Sequence, residues 1–236
     1  MSAEAVRDGD KDRYLASLFA PDGKRPHLLA LYAFNLEIAR IRDVVSEPQI
    51  GLIRQQWWLD TLDGLYAGET SDHPVAQALQ GAISEGNLPK HALRNLVLAR
   101  EFDLYADPMP DLEGLEAYLG ETSSALIQMA SLILAGERAN ACAEAAGLAG
   151  VAYGLARLLA AGMADRYLPK GMTQADAKAH ASRRLTEARA LLPRLPQDAL
   201  PAFLPVSLTG LYLSGGMPSQ FRRQLTMWWA ARRDRF

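Results

Sequence analysis

The chain has 236 residues, of which 49% are hydrophobic and 22% charged, and its formal net charge is -2 at pH 7. That length and composition build one sizeable core and exclude a disordered chain, so residues 1–236 are expected to form a single domain. The near-balanced charge carries no global nucleic-acid signal, and a lone cysteine, Cys142, excludes an internal disulfide or a cysteine-rich zinc site.

Apolar-periodic segments alternate with short Pro/Gly punctuation, and β-branched alternation is almost absent. This pattern predicts an all-α fold. Helices are expected over about 11–20, 26–47, 49–67, 73–85, 89–105, 112–136, 139–164, 173–194 and 218–233. The first twenty residues are charged and lack an apolar signal core, so the expected location is cytoplasmic, with peripheral contact at the inner face of a membrane left open.

Within 26–47, Pro26 suits a first turn, where a missing N–H costs nothing. Glu37, Arg40, Asp43 and Glu47 fall three or four residues apart, on one face of that helix. Asp43 and Glu47 near a helix C-terminus oppose its dipole and want a metal or a basic neighbour. Arg40 and Arg42 can supply that neighbour, which leaves three readings: a salt-bridged surface, a metal–diphosphate face or a partner surface. Pro48 should end the helix just after Glu47.

Farther on, Arg54-Gln55-Gln56-Trp57-Trp58 predicts one tryptophan packed inward and one toward a neighbour or the surface. A Trp57–Arg54 recognition patch is the alternative. Ser71 or Asp72 is expected to cap the helix that Pro74 enters. His27, His73, His91 and His180 are dispersed and show no zinc spacing. Ser123 and Ser124 follow Thr122 without a nucleophile elbow, so their hydroxyls should satisfy backbone groups or line a cavity.

Residues 139–164 are dominated by alanine and glycine, with Gly147, Gly150 and Gly154 spaced for close helix packing. Each helical glycine costs about 1 kcal/mol relative to alanine, which predicts a central helix crowded by its neighbours, compatible with the wall of an apolar cavity. From Gly150 to Ala164 this segment has no acid, and Asp165 comes only as the helix ends. The irregular stretch from Pro196 to Pro218 predicts a broken but packed helical excursion. Residues 221–236 then combine Trp228 and Trp229 with Arg222, Arg223, Arg232, Arg233 and Arg235 against Asp234 alone. A basic aromatic terminal helix of this kind suits an anionic membrane or an acidic partner, and equally suits docking on its own core. RNA lacks any supporting module.

The segments LYAFNLEIARIRDVVSE (31–47), IGLIRQQWWLDTLDGLYAG (50–68), HPVAQAL (73–79), LEAYLGETSSALIQMA (115–130) and DRYLP (165–169) resemble the squalene/phytoene synthase family, in its order. Within that family the chain looks like a divergent branch that includes a respiratory complex I assembly factor. The resemblance implies an isoprenoid-synthase-like helical bundle around a central cavity. Active members condense two isoprenoid diphosphates on magnesium held by two DxxxD motifs. Here the first motif falls on Ala39 and Asp43, so its leading carboxylate is gone, and the second finds no carboxylate between Tyr153 and Ala164. Arg166 and Tyr167 match a family block and are the expected remnant of the diphosphate site. Too few carboxylates remain to hold the ions that stabilise the transition state. The expectation is therefore a catalytically degenerate protein without a cofactor, a scaffold that meets a respiratory-complex assembly protein or a prenyl lipid. The alternative is an active prenyltransferase whose altered magnesium site uses Glu37, Asp43 and Glu47.

Overall fold

A computed structural model describes residues 2–105 and 107–236, and these are helices, turns and loops with no strand among them. They divide into two compact units, Met1–Ala106 and Asp107–Phe236.

The first unit begins with two short helices, α1 (Ser2–Gly9) and α2 (Lys11–Ser17). The Asp10 side chain caps α2 by accepting the Arg13 N–H at 3.2 Å, and its other oxygen takes Arg13 Nη1 at 2.6 Å. Both side chains are buried, and the Arg13 guanidinium lies 5.8 Å from the Tyr32 ring centroid. Burial holds the Tyr32 phenol well above its usual pKa. The core helix of this unit is α3 (Arg25–Ala39), entered at Pro26, whose residues Leu28 to Asn35 are all buried. It packs on α1 and on α6 (Pro74–Gly86).

The helix expected over 26–47 is interrupted. It stops at Ala39, restarts as a single turn, α4 (Ile41–Val44), and then gives way to extended backbone at Val45 (φ -118°, ψ 141°). Glu47 is also extended (φ -128°, ψ 137°), because Pro48 opens α5 (Pro48–Ala67) and the residue before a proline is pushed out of the helical region. Pro48 accounts for the extended Glu47, while the stop at Ala39 falls nine residues before it, beyond that restriction. In α5, Gly51 permits a close approach: a Cβ there would lie 2.5 Å from Leu104 Cδ2. Neither Ser71 nor Asp72 caps α6. His73 is its N-cap without a side-chain bond, and Ser71 Oγ instead accepts the His73 N–H at 3.2 Å. The unit closes with α7 (Lys90–Ala99) and a 3-10 turn, Arg100–Leu104.

In the second unit, α8 (Leu112–Leu119) is capped by Asp111, which accepts the Gly114 N–H at 2.8 Å. It runs through a π-helical segment, Gly120–Ser124, into α9 (Ala125–Ala135). The centre of the unit is α10 (Ala143–Ala160), reached by a 3-10 segment, Gly136–Cys142. Next come α11 (Ala164–Tyr167) and α12 (Gln174–Ala190), the latter opened by a capping box in which Thr173 and Asp176 bond reciprocally. The stretch expected to be broken but packed is so: α13 (Leu200–Phe203), a 3-10 turn at Leu204–Leu208 and α14 (Thr209–Ser214) bury Phe203, Leu204, Val206, Leu208 and Tyr212. The last helix is α15 (Gln220–Arg232). The most apolar stretch, within Leu112–Ala160, is long and apolar enough to cross a membrane, yet 67% of that window is buried inside the fold. That burial is the mark of a core segment.

Candidate functional site

The α3–α5 junction carries the residues expected to form a first metal-binding face. Ala39 ends α3 and supplies no donor. Asp43 is exposed, and Arg42 Nε donates to its Oδ1 at 3.1 Å. Glu47 is exposed at the start of α5, whereas Glu37 is half-buried on α3. With extended backbone at Val45 and Glu47, the expected i,i+4 pair of Asp43 and Glu47 does not share a helix face. Among the described residues, no group of three His, Cys, Asp or Glu side chains could hold a metal. Glu37, Asp43 and Glu47 are not gathered into such a group. Hard divalent ions need several converging oxygens, and the residues present do not fit a magnesium–diphosphate centre.

On α10 the small residues serve packing. A Cβ at Gly150 would lie 2.3 Å from Ser124 Cα, and one at Gly154 would lie 2.6 Å from Ser123 Oγ. Ser124 Oγ donates to the Gly147 carbonyl at 2.8 Å, and Thr122 Oγ1 to the Tyr118 carbonyl at 2.7 Å, as expected of hydroxyls that satisfy backbone groups. Tyr153 is fully buried, with its ring 6.2 Å from that of Tyr212, and its hydroxyl accepts from Arg157 Nη1 at 3.4 Å. Cys142 is a buried thiol, and that burial raises its pKa despite a hydrogen bond with Ser131. Tyr167 is buried, its ring 5.4 Å from that of Tyr118, while the half-buried Arg166 lies 5.9 Å from the Tyr167 centroid.

A tightly clasped carboxylate of this unit is Glu116 on α8. Arg184 Nε and Nη2 donate to its two oxygens at 2.7 and 3.1 Å, and His180 Nε2 meets Oε1 at 2.8 Å. Arg183 Nη2 donates to His180 Nδ1 at 2.7 Å, which assigns the imidazole as the Nε2–H tautomer donating to Glu116. Burial acts upward on the Glu116 pKa, but the hydrogen bonds from Arg184 and His180 and the charge of Arg184 together outweigh it and hold it below the usual glutamate value. Its partners lie 64 and 68 residues away, so the only signal in the sequence was the i,i+4 placement of His180 and Arg184 on α12.

Of the residues at 54–58, Trp58 packs inward, edge-on to Phe34 at 5.2 Å and to His73 at 5.1 Å. Trp57 is 45% exposed and lies edge-on to Trp58, as expected of the outer tryptophan. On α15, Arg223, Met227 and Ala230 form the buried face. Arg223, only 8% exposed, is thus not a surface contact as expected; it lies one residue from the exposed Arg222, about 100° round the helix. Trp228 and Trp229 are each 45% exposed, with Arg232 and Arg233 stacked over them at 5.4 and 5.0 Å. Phe236 is buried, stacked on Phe203 at 5.1 Å. The docking on its own core is seen on one face of this helix, and the other face stays exposed.

An all-α bundle whose family-motif segments lie in order, with no metal-holding cluster of acids among the described residues, defines an isoprenoid-synthase-like fold. Comparison with known proteins gives the family: the squalene/phytoene synthase profile matches residues 6–176, and the chain belongs to that family. The chain is 38% identical over 131 residues to complex I assembly factor 6 of Bos taurus, a match covering 56% of this chain and 39% of that protein. It is 30% identical over 228 residues to the Rattus norvegicus protein of the same name, covering 85% and 68%. Among solved structures, a squalene synthase from Alicyclobacillus acidocaldarius superposes with a TM-score of 0.70 at 20% identity, covering 100% of this chain and 94% of that one. That last likeness concerns the fold alone.

Proposed function

We propose that the chain is a non-catalytic member of its family that acts as a scaffold in assembling a respiratory NADH dehydrogenase complex. What supports this reading is the arrangement of acids: Ala39, where the resemblance implies a leading carboxylate, has none, Asp43 is engaged by Arg42, and Glu47 leaves the helix. Similarity to complex I assembly factor 6 supports the assembly context. The exposed face of α15, with Phe221, Leu225, Trp228 and the cations Arg222 and Arg232, provides peripheral contact with an anionic membrane. The proposed location is the inner face of that membrane.

Deletion of the gene, followed by native electrophoresis of membranes, tests the assembly role. The expected result is loss of the assembled NADH dehydrogenase, restored by the full chain and also by its Asp43→Asn variant. Normal assembly without the chain would overturn the reading.

A further inference from the structure

Between the end of α12 and the end of α15 lies a cleft of about 590 Å³, lined by Arg189, Thr226, Trp229, Arg233 and Arg235 over an apolar floor that includes Leu192 and Phe236. None of its described lining residues is acidic. Arg189 Nε donates to the Phe236 backbone oxygen at 2.6 Å, and its terminal nitrogens have no partner among the described residues. Arg233 is held by stacking over Trp229 at 5.0 Å, and neither it nor Arg235 makes an ion pair among the described residues. The Thr226 hydroxyl is likewise without a hydrogen bond among them. Three guanidinium groups line one cleft, so an anion seated there could meet all three. Arginine forks match tetrahedral oxyanions with paired N–H bonds, and a single carboxylate would leave most of this charge unmet. The volume and the apolar floor leave room for a carbon body beside the anion.

We propose that this cleft binds a phosphate-bearing ligand, its phosphoryl oxygens held by Arg233, Arg235, the Thr226 hydroxyl and the terminal nitrogens of Arg189. Burial already lowers the Arg189 pKa, and a bound anion would reverse that effect. The cleft goes beyond the membrane contact assigned to the exposed face of α15, which uses Arg222 and Arg232.

The test titrates the full chain with inorganic phosphate and with glycerol 3-phosphate, following tryptophan fluorescence, since Trp229 forms one wall. In parallel, the chain is sedimented with phosphatidylcholine vesicles with and without phosphatidic acid, in about 0.15 M salt, where long-range attraction is screened. A saturable response to the soluble compounds identifies a free phosphate ligand, and a response to phosphatidic acid vesicles alone identifies a lipid headgroup. In either arm, Arg233→Ala with Arg235→Ala should weaken binding by about tenfold or more, the worth of a lost charged hydrogen bond. Arg233→Lys with Arg235→Lys keeps the charge without the fork, should fall between, and serves if the alanine variant melts early. Arg222→Ala with Arg232→Ala should leave the soluble-phosphate response unchanged. No saturable response to any probe, or binding indifferent to the Arg233 and Arg235 changes, overturns the proposal. Vesicle binding that depends only on Arg222 and Arg232 would remove the cleft and leave the surface contact standing.

Discussion

The α3–α5 junction and the α8–α12 clamp treat a carboxylate in opposite ways. At the junction, Asp43 is 63% exposed at its side chain and meets only the neighbouring Arg42, while Glu47 sits on extended backbone before a proline. In the clamp, Glu116 is 27% exposed and accepts two arginine bonds and one from histidine. One region keeps its acids loose and dispersed, and the other uses its acid to bond an arginine and a histidine that tie two helices together. In neither place do carboxylates converge on a common point, as a metal-dependent synthase requires.

Substitutions can break this contrast in order of effect. Gly150→Val should be the most damaging, because even its Cβ would fall 2.3 Å from the Ser124 backbone. Overpacking of that kind costs about 3 kcal/mol or more, read as a lowered midpoint in urea unfolding. Glu116→Ala removes the acceptor of three charged or polar bonds and should cost roughly 2 kcal/mol by the same measurement. Acid exposes the clamp differently. Because the folded-state pKa of Glu116 is depressed, its stabilisation is complete above the ordinary glutamate value, about 4.3, and is lost as pH falls through the lower folded value. Glu116→Gln should flatten that part of the stability–pH curve, and an unchanged acid limb would refute the clamp. Asp43→Asn and Glu47→Gln should each change stability by less than about 0.5 kcal/mol, as befits exposed acids. A large loss at either would show that the junction is not loose.

Most of the fold was legible because helices announce themselves by period and punctuation. Pro26 and Pro74 fall in first turns as read, and the small-residue run 143–160 is the crowded centre of its unit. The helix break after Ala39 was not legible, since the apolar and polar spacing of 26–47 continues unbroken across it. The π segment at Gly120–Ser124 was hidden for a similar reason: it arises where Ser123 and Ser124 meet Gly150 and Gly154, a contact between distant stretches. Short α1 was missed because its eight residues bury only Val6. At the candidate site, the loss of acids could be counted from the sequence. The side of α15 on which Arg223 falls could not, because the helix is basic all round.

The central claim is that this isoprenoid-synthase fold lacks the means to ionise a diphosphate. Its most direct measurement is incubation of the full chain with farnesyl or geranylgeranyl diphosphate across a series of magnesium concentrations, with organic extraction and mass spectrometry of the products. The prediction is that the diphosphate remains unconsumed relative to a heat-treated control. A condensed hydrocarbon or released pyrophosphate that rises with magnesium would contradict it.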